Sequence, residues 1–286
     1  MRGDERIQWR TSLPFLAMHA GCLAIFWTGC SPAALALGLA LFWIRMFGIT
    51  GVYHRYFAHA SFKTTRPFQF ILAWIACSSM QKGPLWWASH HRHHHAHSDA
   101  PGDIHSPLRR GFFWSHMGWI LCSKYEPTRW ELIRQFTHYR ELVWLNENHL
   151  APGLLLAGIS YGFGWWLERA APGLGTNGFQ MLVGSFLVST VALYHATFTI
   201  NSLSHVYGTQ RFNTGDGSRN NWLLALLTLG EGWHNNHHYY PSSASMGFRW
   251  WEIDMTLYIL KALAAVGLVW DLKLPPKRVT LDMIVS

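Results

Sequence analysis

The sequence predicts an all-α integral membrane protein in which four transmembrane helices carry a cytoplasmic, histidine-rich helical cap with a site for two metal ions. Three observations predict it. Half of the 286 residues are hydrophobic and only 13% are charged, which is a membrane composition in diluted form. Long apolar runs come in two pairs, and three histidine clusters lie between or after them. No Ser/Pro/Gly-rich linker interrupts the chain, so a single domain over 1–286 is expected.

The start, Met1 to Arg10 before an apolar run, imitates a signal peptide, and Thr28-Gly29-Cys30 imitates a lipoprotein cleavage site. Trp27 stands where such a site wants a small aliphatic residue, and a second apolar run follows at once, so a retained first helix is expected. Residues 13–30 and 33–52, joined by Gly29-Cys30-Ser31-Pro32, form the first hairpin of spans, since a spanning helix needs about 20 apolar residues. Residues 152–171 and 179–200 form the second, split by a Gly- and Pro-containing turn from Ala171 to Gly178. Residues 53–151 and 201–286 make the cap. The apolar stretches 67–80 and 253–270 are short or interrupted by Lys261, and are expected along the interface or under the metal site.

Four spans put both termini on one side. The basic residues Arg2, Arg6, Arg10, Lys63, Arg66, Arg109 and Arg110 assign that side, with the histidines, to the cytoplasmic face of the cell inner membrane. The net charge of +8 therefore reads as topology and excludes a nucleic-acid stripe. Trp pairs at 86–87, 165–166 and 250–251 are expected in the aromatic belt. Cys22, Cys30, Cys77 and Cys122 lack metal spacing and are expected as free thiols.

The chemistry lies in the histidines. On a helix, residues three and four apart share a face, so His91, His94 and His95 are expected to aim at one point, and His234, His237 and His238 at another. His54 and His59 are five apart, which turns a regular helix by about 140°, so the helix should unwind or end near His59. Asn201 and His205 lie one turn apart after the last span, Asn201 placed to hold a metal-bound water. Nine imidazoles divide between two metals with positions left for water or oxygen, whereas structural zinc needs only four ligands. Imidazole alone does not choose among iron, copper and zinc.

The three boxes, H-x4-H, H-R-x-H-H and H-x-x-H-H after Gly-Glu-Gly-Trp, resemble those of the membrane fatty acyl desaturases. Gly48-Ile49-Thr50 and the stretch from Arg110 to Trp119 are similar to the delta-9, stearoyl-CoA-desaturase-like branch. The resemblance covers roughly residues 40–255. It implies a non-haem di-iron centre with His54, His59, His91, His94, His95, His205, His234, His237 and His238 as ligands and Asn201 contributing through water. It implies O2-dependent formation of a cis double bond, at the delta-9 position, in a saturated acyl-CoA. In resembling desaturases, the stretch holding Phe42 and Met46 closes the far end of the acyl tunnel; ordinary lipid-facing packing is the alternative for these two. Acyl-CoA members carry basic side chains where this chain has Ser89 and Ser123, leaving Lys124 with Arg109 and Arg110 nearby, so an acyl-lipid substrate is the rival reading.

Neither a haem motif nor a cysteine quartet is present, so electrons are expected from a separate ferredoxin, rubredoxin or small cytochrome with its reductase. A hydroxylase or decarboxylating oxidase of the same superfamily is an alternative activity. A non-enzymatic metal transporter is an alternative of another class, but would place imidazoles inside the spans. Of the remaining histidines, His90, His93 and His97 should point away from the ligands. His105, His116 and His195 are candidate donors to ligands or buried rings, and His19, His138 and His149 are expected to be solvated or interfacial. Glu231 either orients a ligand ring or is a solvated loop carboxylate, and Asp99 and Asp103 are expected to be solvated.

Overall fold

The computed structural model describes residues 5–276, so Arg2 lies outside the described residues. Helix α1 spans Trp9–Thr28 and helix α2 Pro32–Ala58. Ser31 starts α2: its hydroxyl accepts from the Ala34 N–H at 3.1 Å, and Pro32 supplies a first-turn residue that needs no donor. At 27 residues, α2 is about 40 Å long, more than the hydrocarbon core requires. It therefore runs to Ala58 rather than residue 52 and emerges from the apolar layer still helical, carrying His54.

In the cap, α3 (Arg66–Cys77) and α4 (Pro84–His97) follow. Helices α5 (Arg140–Glu147) and α6 (Ala151–Ala170) meet at a 68° bend. Helix α7 covers Gly178–His205, again longer than a bilayer needs. Short helices α8 (Trp222–Leu227) and α9 (His234–Tyr239) and the apolar α10 (Met255–Ala265) complete the cap. A two-residue antiparallel pair, β1 (Lys63–Thr64) with β2 (Val269–Trp270), is the one sheet among the described residues. The all-α membrane fold is as expected: α1, α2 and α7 are each long and apolar enough to span, and the bent α5–α6 pair meets the same length and apolarity only when its two helices are taken together.

Inside the apolar layer, α2 and α7 approach closely at Gly38, where an added Cβ would lie 3.0 Å from the Gly184 carbonyl oxygen. Nearby, Arg45, absent from the sequence expectations, is buried in the span. Its guanidinium donates to Thr190 Oγ1 and Ser189 Oγ of α7 at 2.5 Å each and to Leu41 O at 3.0 Å. A buried charge at this depth is tolerated only when its donors are used, so Arg45 clamps together the two spans that carry His54 and His205.

Helix α3 and α10 lie beside the end of α2, in a core that includes Tyr53, Phe57, Leu72, Leu257 and Leu260. Both described chain ends reach the cap: Gln8 N donates to Leu121 O at 2.9 Å, and Lys273 N to Ser61 O at 2.8 Å. All four cysteines are free thiols. The Trp86–Trp87 pair is not part of an aromatic belt. Trp86 is buried, stacks on Trp119 at 5.7 Å and donates to Tyr125 O, while Trp87 stacks on His91 at 5.1 Å. Pro84 starts α4 beneath other cap elements, which leaves its first turn no lipid-facing side. Trp165, Trp166, Trp250 and Trp251 are exposed.

At Gly48 a Cβ would lie 2.7 Å from Ala76 Cα. Gly48→Val should therefore force α2 from α3 and cost about 1–3 kcal/mol, read as a lower unfolding midpoint in detergent. Gly158→Ala, which meets open space, should show no loss.

Candidate metal centre

The end of α2 solves the five-residue spacing in an unexpected way. From Gly48 to Ala58 the helix is a π-helix, and His59 N donates to His54 O at 3.2 Å across five residues. Hydrogen bonds of that reach put more residues in each turn and bring residues five apart nearer to one face than an α-helix would, and the two rings sit 4.8 Å apart, centroid to centroid. The helix ends at His59 as expected, but it widens rather than unwinds.

The nine imidazoles separate into two groups. His54, His59, His91, His95 and His237 form one, and His94, His205, His234 and His238 the other; within each, one ligand atom per ring lies within 4.8 Å of all the rest. This corrects the expectation that each box aims at one point. On α4 the pair four apart, His91 and His95, joins the five-ring group while His94 turns to the other. On α9 the pattern reverses: His234 and His238 join the four-ring group and His237 the five. A helix turns 3.6 residues per cycle, so the i,i+3 and i,i+4 partners flank the seam between two targets.

Carboxylates fix four of these rings. The Nδ1 atoms of His94, His205 and His238 face Asp103 at 3.0 Å, Asp99 at 2.8 Å and Asp216 at 2.6 Å, and that of His54 lies against Glu231. Burial would raise these carboxyls, but the imidazole partners outweigh it and hold Asp99, Asp103, Asp216 and Glu231 below the usual carboxylate range. Asp99 and Asp103 are thus not solvated, and Glu231, 5% exposed, is no loop carboxylate in water. Asp216 was missed: it stands 22 residues before His238 in a polar turn, with no periodicity to link them.

A ring that gives its Nδ1–H to a carboxylate and carries no second proton offers Nε2 as a lone pair. His54 Nε2 faces His237 Nε2 at 3.0 Å and His205 Nε2 faces His234 Nε2 at 3.1 Å, while the buried Nε2 atoms of His94 and His238 have no hydrogen-bond partner. The chain of facing Nε2 atoms continues through His95, His91 and His59 at 2.9–3.0 Å. Burial, then neighbouring imidazoles, holds His59, His91, His95, His234 and His237 well below the ordinary histidine range. Burial likewise puts His238 at about 4, against the upward pull of Asp216. Neutral rings with converging lone pairs fit a cation in each group.

Beside these groups lies a cavity of about 270 Å³, lined among others by Phe15, Trp87, His91, Trp119, Thr197 and Asn201. A smaller gap of about 30 Å³ shares Trp87, His91, Thr197 and Asn201 with it and is closed by Met46, Ile49, His54, His94 and His234. Met46 is fully buried and Phe42 only 9% exposed, packed together with Leu193, Ala196 and Leu229. Lipid-facing packing is therefore wrong for both. Their helix face turns toward α7, away from bilayer.

Arg110 meets Glu5 in a bidentate pair at 2.9 and 2.7 Å and lies over Trp114, and Lys124 Nζ is 3.9 Å from Glu5. Arg109 is exposed and donates to Asp99 O at 2.7 Å, bracing that loop. His90, His93 and His97 bond backbone carbonyls outside both groups. His105 is buried against His94, their centroids 4.2 Å apart. His19, expected to be solvated or interfacial, is half-buried and contacts His195 of α7 at 3.2 Å, and His195 contacts His116 at 3.0 Å. His138 is exposed, and His149 lines the cavity.

The profile of the fatty acid desaturase family matches residues 30–271. The chain is 39% identical over 266 residues to an acyl-CoA 5-desaturase of Anemone leveillei, covering 90% of this chain and 77% of that one. It is 37% identical over 267 residues to a chloroplastic palmitoyl-monogalactosyldiacylglycerol delta-7 desaturase of Arabidopsis thaliana, covering 91% and 67%. Identity to an sn-1 stearoyl-lipid 9-desaturase of Anabaena variabilis is 34% over 282 residues, covering 96% of both.

His94→Ala and His237→Ala remove one ligand from different groups. Each should lower the metal content of the purified protein by about one ion and reduce turnover by at least the 10- to 100-fold typical of lost ligand support. Metal analysis with an activity assay checks this, and membrane insertion should be unchanged.

Proposed function

Because the chain belongs to the fatty acid desaturase family, we propose that it introduces a cis double bond, at the delta-9 position, into a saturated acyl chain, using two iron ions, O2 and an external electron donor. The observation that carries this reading is the division of nine inward-facing imidazoles into two groups beside an apolar cavity. Removing hydrogen from an unactivated methylene pair is beyond acid–base side chains, and the metal pair with O2 supplies that power. The balance is one O2, two electrons and two protons taken up, one C=C formed and two waters released.

The chain's own residues bind and aim. His54, His59, His91, His95 and His237 hold one ion, and His94, His205, His234 and His238 the other, with Asn201 orienting a water. Trp87 and Thr197, shared by the cavity and the gap, place one carbon pair beside the ligands. Phe42 and Met46 end the path and set chain length. The electron donor is a ferredoxin, rubredoxin or small cytochrome, and the site faces the cytoplasm at the cell inner membrane.

For the acyl carrier, the motifs around the second box favour acyl-CoA. A second reading, an acyl-lipid, is favoured by one observation: the Arg110 fork is engaged by Glu5, with Lys124 close to the same carboxylate. A guanidinium already paired bidentately has no fork left for a phosphate.

Purified enzyme with reductant should be offered stearoyl-CoA and a matched phospholipid in parallel, with and without Lys124→Ala. An internal alkene is expected; an alcohol or terminal olefin would favour a hydroxylase or decarboxylating oxidase. Acyl-CoA turnover that falls with Lys124→Ala and with added salt supports the CoA reading, and turnover of phospholipid alone supports the acyl-lipid reading. Separately, Phe42→Ala should lengthen the accepted chain, seen as a shift in the fatty acid profile of an expressing host.

A further inference from the structure

The two imidazole groups differ in the charge packed behind them. In the four-ring group, three rings are backed by carboxylates: His94 by Asp103, His205 by Asp99 and His238 by Asp216. The other partners of these carboxylates are neutral. Asp103 also accepts from the backbone N–H groups of Asp99 and His105, Asp99 from Ser106 Oγ and Gly217 N, and Asp216 from Thr214 Oγ1 and Ser218 N. Arg109 reaches Asp99 through its backbone carbonyl only. Among the described residues, no Lys or Arg forms an ion pair with any of the three.

In the five-ring group a carboxylate backs His54 alone, and it is shared. Glu231 is gripped by Arg55 at 3.1 Å, and Arg55 also pairs with Asp254 at 2.9 Å. The Arg92 guanidinium lies on the same side, donating to Ala58 O and Phe57 O at 2.8 Å next to His59. Two carboxylates are thus set against two guanidiniums here, whereas three carboxylates face none behind the four-ring group.

We propose that Asp99, Asp103 and Asp216 make the four-histidine group the tighter of the two metal sites, so that it fills first and the five-histidine group holds the more exchangeable ion. The proposal rests on the two-ion reading above. A carboxylate on Nδ1–H makes Nε2 a stronger donor and fixes its direction. Uncompensated negative charge in a buried site also attracts a dication directly. The fifth imidazole of the other group adds one neutral ligand and no charge.

The test is anaerobic titration of metal-free, detergent-purified protein with ferrous iron, together with the Mössbauer spectrum at one equivalent of 57Fe. Wild-type protein should bind in two steps, and the first equivalent should give one quadrupole doublet. Asp216→Asn should weaken the first step by about 10- to 100-fold, leave the second unchanged and spread one equivalent over two doublets. Glu231→Gln should weaken only the second step. Circular dichroism and gel filtration of the metal-free protein establish folding; if Asp216→Asn does not fold, Asp103→Asn on a separate segment carries the same expectation. The proposal is overturned if the Asp variant leaves the first step intact or weakens both alike, if Glu231→Gln weakens the first, or if wild-type steps are indistinguishable. A wild-type chain that binds a single ion overturns the two-ion reading itself.

Discussion

Two imidazole Nε2 atoms about 3 Å apart are stable together when one donates a proton to the other, or when both offer lone pairs to a cation. For His54, His94, His205 and His238, a carboxylate on Nδ1 leaves Nε2 of a neutral ring only the accepting role, and the buried Nε2 atoms of His94 and His238 meet no donor, which the second option alone satisfies. The fold is arranged around the second. Helices α2 and α7 run past the apolar layer to deliver His54 and His205, α4 and α9 each turn one ring toward the opposite group, and the end of α2 widens to bring His59 over His54. A π-helix packs its backbone less favourably than an α-helix, and such stretches concentrate at functional sites. Arg45 holds α2 to α7 where a shift along either axis would carry a ligand with it.

The long apolar helices and the nine clustered rings were legible in the sequence because hydropathy and box spacing are local signals. Their grouping was not. Spacing of three and four reads as one face only while a single target is assumed; with two targets flanking the helix, His94 parts from His91 and His95, and His237 from His234 and His238. Asp216 and Arg55 were invisible for a different reason, since their partners are distant in the chain and nothing periodic links them. The burial of Trp86 was misread because a Trp pair at a helix start looks the same in the sequence whether it meets lipid or another ring.

Helix α2 also joins two properties that could have been separate. Phe42 and Met46 near the end of the gap, and His54 at its wall, lie on one helix whose cap-side end is walled by α3. On the proposed reading of these two side chains as the floor of the acyl path, the distance from floor to imidazoles is fixed by one continuous helix, α-helical and then π-helical, and not by a movable loop. On that reading, a substitution at the floor changes how much of a chain fits without changing where the imidazoles sit.

The contact between His54 and His237 joins positions 183 apart in the chain. A synthesised chain emerges from its N-terminus, so α1 and α2 are in the bilayer long before α9 exists, and neither group of rings is complete until all spans are in place. Closing so long a loop is entropically late. Whatever ion the centre takes up must be acquired by a finished, inserted protein, which makes loading a step of maturation that the cell can supply or withhold independently of synthesis.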